Sequence, residues 1–230
     1  MSKYDFFNSD PYGAHIKTVN LVGNDKKVLE VGCATGQISR KLTAKGCEVV
    51  GLEIDQNSAG EARRYCKAVI AGDIEELDSL PYEKYFDYIL LIDVLEHLKS
   101  PLRTLNKLKL YLKEGGQMII SLPNVANLEV RYGLLLGRFE YKERGILDET
   151  HIRFFDETSA KKLLEDAGLE IVLFDVTPSK QIIPVRSRFS YFLAKMRPNL
   201  FAYQFLIVGK LKNVRSESID KVAHPRKQSI

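Results

Sequence analysis

The sequence has little of what stabilises exported or membrane-embedded chains. Three cysteines, Cys33, Cys47 and Cys66, stand among 230 residues without any Cys-x-x-Cys spacing, so neither a disulfide framework nor a thiolate zinc site is indicated. No apolar run reaches the roughly 20 residues that cross a bilayer. The opening Met-Ser-Lys-Tyr-Asp-Phe-Phe-Asn-Ser-Asp lacks the apolar core of a signal peptide. The expectation is a cytoplasmic chain with no integral membrane segment. Internal repeats and low-complexity tracts are also missing, which excludes solenoid architectures. Neither charge sign dominates, with 34 Lys and Arg against 30 Asp and Glu, a balance too mild for a nucleic-acid binder. The small excess collects in the last third, where it suits an anionic substrate, a membrane surface or, most simply, a solvated basic face.

What is present is a regular alternation of strands and helices. Val28-Leu-Glu-Val31 reads as a buried strand running into Gly32-Cys-Ala-Thr-Gly36, a turn open only to small residues. Further strands are expected at 48–54, 68–71, 86–93, 117–122, 169–176 and 202–209. Helices are expected at 11–22 with Asp10 as N-cap, and at 37–45, 59–66, 102–112, 156–167 and 189–196. Residues 125–150 have poor periodicity and mix aromatic with basic side chains, which suggests a lid of short helices inserted above the sheet. The whole fits one α/β domain over residues 1–212, a Rossmann-like doubly wound seven-stranded sheet, mostly parallel with an antiparallel last strand. Residues 213–230 read as a polar, disordered tail.

In such sheets ligands bind at the carboxyl ends of the strands. Three loops there carry the signal: Glu30-Val-Gly-Cys-Ala-Thr-Gly36, the acidic end of strand two at Glu53, and Gly72-Asp73-Ile74. A carboxylate some 20 residues beyond the glycine-rich turn holds a ribose. A dinucleotide would require Gly-x-Gly-x-x-Gly, and the corresponding positions are Gly32, Ala34 and Gln37. A nicotinamide-dependent oxidoreductase is thereby disfavoured, while a non-catalytic binding module with the same loops stays open.

These residues resemble the first motif of class I S-adenosylmethionine-dependent methyltransferases, acidic-x-Gly-x-Gly-x-Gly, matched at Glu30, Gly32 and Gly36, with Ala34 at the middle glycine. The resemblance assigns Glu30, Gly32, Cys33, Ala34, Gly36, Glu53, Ile54, Asp73, Ile74 and Asp93 to the cofactor. The chemistry agrees with it, because S-adenosyl-L-methionine carries a ribose diol, an adenine amine and a zwitterionic tail but no phosphate. Glu53 is suited to accept from both ribose hydroxyls and Asp73 from the adenine amine, with the Ile74 N–H facing a ring nitrogen. Gly32 presents bare backbone to the amino-acid end, and Glu30 orients the loop from behind.

On the acceptor side, a hydroxyl must lose a proton during in-line displacement, so a base is needed. His15 and His224 lie near the termini, leaving His97 and His151 as the catalytic candidates. His151 opens His-Ile-Arg-Phe-Phe155, which resembles a His-x-Arg-Phe-Phe stretch found after strand five in small-molecule methyltransferases, often of polysaccharide pathways. Asp93-x-x-Glu96-His97 together with His151 is similar to the Glu-x-x-Glu-His plus His arrangement of metal-assisted O-methyltransferases, such as those of ubiquinone biosynthesis and small-RNA ends. That likeness implies a divalent metal on Glu96, His97 and His151. The lid residues Arg131, Tyr132, Arg138, Phe139, Tyr141, Lys142 and Arg144 suit sugar, phosphate or quinone-ring recognition. O-methylation of a small molecule or a carrier-linked saccharide is the expected activity.

Overall fold

A computed structural model describes residues 7–179 and 188–212. In chain order the elements are α1 (Ala14–Val22), β1 (Lys27–Val31), α2 (Gln37–Thr43), β2 (Glu48–Glu53), α3 (Gln56–Ala62), β3 (Ala68–Ala71), β4 (Phe86–Ile92), α4 (Pro101–Leu108), β5 (Leu112–Pro123), α5 (Leu128–Leu135), α6 (Glu157–Asp166), β6 (Leu169–Pro178), α7 (Arg188–Met196), α8 (Pro198–Phe201) and β7 (Ala202–Leu211). The seven strands form one sheet in the order β3-β2-β1-β4-β5-β7-β6. The pairs among the first five strands are parallel, and β7 runs antiparallel to both β5 and β6. The doubly wound sheet expected from the sequence is therefore the one observed.

Strand alternation divides the core between the two faces of the sheet. Leu29, Val50, Ile89, Leu91 and Ile120 pack with Leu105 and Leu108 of α4 and with Ala160 and Leu164 of α6. Val28, Val49, Leu90 and Ile119 point the other way, onto Val19 and Val22 of α1 and Leu42 of α2. Central strands buried on both faces explain why they read as continuous apolar runs.

Of the boundaries that differ from the sequence reading, three have a visible cause. Asp10 does not cap α1; its carboxylate accepts from Tyr12 N at 2.9 Å in a turn, and the helix starts at Ala14. Asp55 is a helix cap and lies beyond β2: its side chain accepts from Ser58 N at 2.8 Å, which starts α3 three residues early. The α4 helix stops at Leu108 because Tyr111 is pinned from outside. Its hydroxyl accepts from Leu80 N at 2.9 Å and its carbonyl from Tyr85 N, so β5 begins at Leu112 and reaches the regular register through a bulge. The expected lid contains the single helix α5, followed by turns joined by an isolated bridge between Lys142 and Asp148. The expected tail at 213–230 lies outside the described residues.

Candidate active site

Two loops at the carboxyl edge are stitched together by one carboxylate. Gly32 N and Cys33 N donate to Leu52 O at 2.8 and 3.1 Å, and Ala34 N donates to Glu53 Oε2 at 2.8 Å. Asp55 N donates to Glu53 Oε1 at 3.0 Å. Each Glu53 oxygen thus spends one lone pair on holding the turn and keeps a second for a hydroxyl. Gly32 has φ +67 and a Cβ there would lie 2.8 Å from Val94 Cγ2, so the turn has room only for bare backbone. Ala34 sits at φ 44, a left-handed position that an alanine tolerates at a cost of about 1 kcal/mol and that aims its N–H at Glu53.

Glu30 lies beneath this turn, buried, and accepts from Ser39 Oγ on α2. Burial is the main reason its pKa is pushed up to about 8, with Ser39 opposing and Cys66 and Glu53 adding to the rise. In the unfolded chain the same group ionises near the ordinary carboxylate value. A raised folded value means that its contribution to stability is complete below that ordinary value and is lost as pH rises to about 8. Glu30→Gln keeps the acceptor for Ser39 and removes the titration. Its melting temperature is expected to match wild type near pH 5 and to exceed it by about 5 °C at pH 8, as read by calorimetry; parallel pH profiles would refute the assignment.

At the other loop expected to meet the cofactor, Asp73 accepts from Glu75 N at 2.8 Å, Ile74 is buried, and Ile54 just beyond β2 is exposed. Asp93 ends β4 at φ 56 and turns back toward the neighbouring strands. Its N–H donates to Ser121 Oγ at 2.9 Å, and its Oδ1 accepts from Ser121 Oγ at 2.8 Å and from Gln204 Nε2. His15 on α1 is near enough to feel the Asp93 charge, although burial dominates and lowers its pKa. Ser121 and Gln204 were not singled out by the sequence reading, and His15 was set aside there for its position near the terminus. The first two are ordinary strand residues, and His15 is brought in only by the packing of α1.

The acceptor-side candidates do meet. Glu96, His97 and His151 present ligand atoms that all lie within 4.8 Å of one another. The loop carrying His151 is fixed to theirs by Ile152 N and Arg153 N, each donating to Glu96 O at 3.0 Å. His151 Nδ1 lies 3.0 Å from Ile146 O, and His97 Nδ1 lies 3.1 Å from Thr150 O. A carbonyl only accepts, so both Nδ1 atoms carry hydrogen, and Nε2 is the nitrogen left to offer a lone pair when the ring is neutral. Burial holds the His151 pKa down. Glu96 is 1% exposed, and neither of its carboxylate oxygens has a hydrogen-bond partner. Burial and the nearby Asp93 drive its pKa well above the usual carboxylate range. Asp93 itself, committed to Ser121 and Gln204, stands outside the trio.

An aromatic row leads away from these histidines. His97 and His151 meet edge to face at 4.8 Å, His151 and Phe154 at 6.4 Å, Phe154 and Phe139 at 6.4 Å, and Phe139 and Tyr141 at 5.4 Å. Beside the row is a cavity of about 470 Å³ lined by Tyr132, Arg138, Lys142, Arg144, Ile146 and Tyr203 among others. Four of these belong to the lid residues expected from the sequence. Tyr203, from β7, does not.

The sequence profile of the methyltransferase domain family matches residues 15–173. The chain belongs to that family. The match covers the candidate cofactor loops and the trio, and the family implies S-adenosylmethionine as methyl donor. The methyltransferase chain is 28% identical over 153 residues to a ubiquinone biosynthesis O-methyltransferase of Rickettsia akari, covering 63% of this chain and 59% of that protein. It is 27% identical over 154 residues to a protein of the same name from Azoarcus sp., covering 64% and 65%. The chain thus spans somewhat less than two thirds of the length of these curated relatives. In fold it is similar to an S-adenosylmethionine-dependent methyltransferase from Archaeoglobus fulgidus, with TM-score 0.63, 20% identity and coverage of 85% of this chain and 90% of that one. A methyltransferase from Mesorhizobium loti gives TM-score 0.59 at 16% identity, covering 86% and 97%.

Among the described residues no helix is long and apolar enough to cross a membrane.

Proposed function

We propose that the chain transfers the methyl group of S-adenosylmethionine to a hydroxyl of an aromatic small molecule, with a divalent cation held by Glu96, His97 and His151. The observation that carries this reading is the Glu96 carboxylate, shut from water with both oxygens unpartnered beside two imidazoles. A buried carboxylate without partners costs several kcal/mol, and a cation offsets that cost. Ligand atoms on bonds of about 2.1 Å stand at most about 4.2 Å apart, so the observed spread closes with small side-chain rotations. Bound S-adenosylmethionine supplies an electrophilic methyl carbon, and a bound divalent ion would supply the Lewis acidity that lowers a hydroxyl's pKa.

The remaining roles fall to the chain itself. Glu53 receives the ribose hydroxyls on lone pairs left free by Ala34 N and Asp55 N, Asp73 receives the adenine amine, and the Gly32 backbone lies against the amino-acid end. The Ile146 and Thr150 carbonyls lock the imidazole tautomers, as outer partners of metal ligands do. The aromatic row from His97 to Tyr141 suits a flat ring, and the bases of the lid cavity suit an anionic substituent on it.

The name of the curated relatives, ubiquinone biosynthesis O-methyltransferase, favours an aromatic hydroxyl over the carrier-linked saccharide also expected from the sequence. The likeness of His151-Ile-Arg-Phe-Phe155 to polysaccharide enzymes finds no support in them. Labelled methyl uptake from S-adenosylmethionine by a panel of dihydroxybenzenes, nucleotide sugars and amines decides the matter. Dihydroxybenzene labelling with added magnesium is the expected result. Labelling of sugars alone restores the saccharide reading, and S-adenosylhomocysteine binding without any turnover identifies a non-catalytic module.

A further inference from the structure

The last third of the chain carries a feature that methyl transfer does not use. Between Asp175 and Glu217 there is no acidic residue, while eight lysines and arginines fall in that span. Within it, α7 is docked by its small face: Ser190 and Ala194 are buried. The Tyr191 hydroxyl donates to Asp175, and Lys195 Nζ donates to Phe174 O at 2.9 Å. The helix is thus held in place, and what it turns outward is apolar. Phe189, Phe192 and Met196 are 64, 58 and 62% exposed, and their spacing of three and four residues sets them in one stripe along the helix. Arg188 and Lys195 border the stripe on one side, and Arg197 follows its end.

We propose that α7 is an interfacial anchor that lays its Phe189, Phe192 and Met196 stripe into an anionic phospholipid surface, with Arg188 and Arg197 meeting the headgroups. An outward apolar stripe on a fixed helix within an acid-free, basic stretch is the combination that binds such surfaces. The charge asymmetry selects lipid over a second protein chain, because a basic border complements a uniformly anionic plane. It disfavours nucleic acid, since phosphate recognition makes no use of three exposed apolar side chains. A second apolar group belongs to the same end of the sheet. Leu134, Leu135 and Leu136 at the end of α5 are exposed, and Asn124 ties the start of the lid to α8 by donating to Pro198 O at 3.1 Å and Ala202 O at 2.9 Å. The anchor does not depend on the identity of the acceptor or on the metal.

The chain contains no tryptophan, so Phe192→Trp gives a single fluorophore on the stripe. With vesicles of equal parts phosphatidylcholine and phosphatidylglycerol, its emission is expected to shift to the blue and to be quenched by brominated acyl chains. Phosphatidylcholine alone, or molar salt, is expected to leave it unshifted. Two variants in the otherwise wild-type chain, Phe189→Ser with Phe192→Ser, and Arg188→Gln with Arg197→Gln, should each lower cosedimentation with the anionic vesicles about tenfold or more. Unchanged S-adenosylhomocysteine affinity certifies that they fold, and the arginine pair, lying wholly on the surface, keeps the test open if the serine pair does not fold. Emission unmoved by anionic vesicles overturns the proposal. So does a blue shift that depends on protein concentration without lipid, which would mean a second copy covers the stripe, and so does wild-type sedimentation by both variants.

Discussion

Glu53→Ala should weaken S-adenosylhomocysteine binding by about 100-fold or more. Hydrogen bonds to a charged acceptor contribute about 1.5–3 kcal/mol each, and the ribose diol offers two, so the loss compounds. The same carboxylate also holds Ala34 N and Asp55 N. Removing it therefore frees the glycine turn and should lower stability by about 1–2 kcal/mol. Glu53→Gln falls between the two, because its single carbonyl oxygen can accept from Ala34 N or from Asp55 N but not from both, and it cannot receive both hydroxyls with charge. Calorimetric titration of the three proteins reads this directly. Equal affinities would remove Glu53 from the ribose, and affinity for NAD in place of S-adenosylhomocysteine would overturn the cofactor reading.

The second large effect has opposite signs in stability and activity. Glu96→Met replaces a buried, unpartnered carboxyl with an apolar side chain of similar volume. In metal-free protein it should raise stability by about 1–3 kcal/mol, a rise of roughly 2–10 °C in melting temperature. Methyl transfer should meanwhile fall by about 100-fold or more, since a Lewis acid at the reacting oxygen supplies several kcal/mol. Manganese binding followed by electron paramagnetic resonance should disappear in the same variant. A residue that merely packs α4 against the lid would show the reverse, lower stability with manganese binding unaffected because there is none to lose.

The layered architecture was legible because the strands that build it are buried on both faces, and Val28-Leu-Glu-Val31 or Ile89-Leu-Leu-Ile92 cannot be read otherwise. Local turn chemistry was less legible. Asp55 reads as the acidic end of a strand but lies beyond β2, and its role as a helix cap fixes where α3 begins. The α4 to β5 boundary depends on Tyr111 reaching Leu80, a contact 31 residues distant that no window reveals. At the site, the spacing of Glu96, His97 and His151 announced a cluster that the fold brings together. Asp93, three residues before Glu96, is kept out of that cluster by backbone geometry. A turn at φ 56 directs Asp93 to Ser121 and Gln204, the latter 111 residues away on the antiparallel strand. His15 was set aside as lying near the terminus, since the packing of α1 and not any local pattern brings it near Asp93.

The most direct test is the metal dependence of methyl transfer to a dihydroxybenzene acceptor. Protein stripped by a chelator should retain less than about a hundredth of its activity, with recovery on adding magnesium or manganese and unchanged S-adenosylhomocysteine affinity throughout. Full turnover in excess chelator would contradict a metal-holding role for Glu96, His97 and His151.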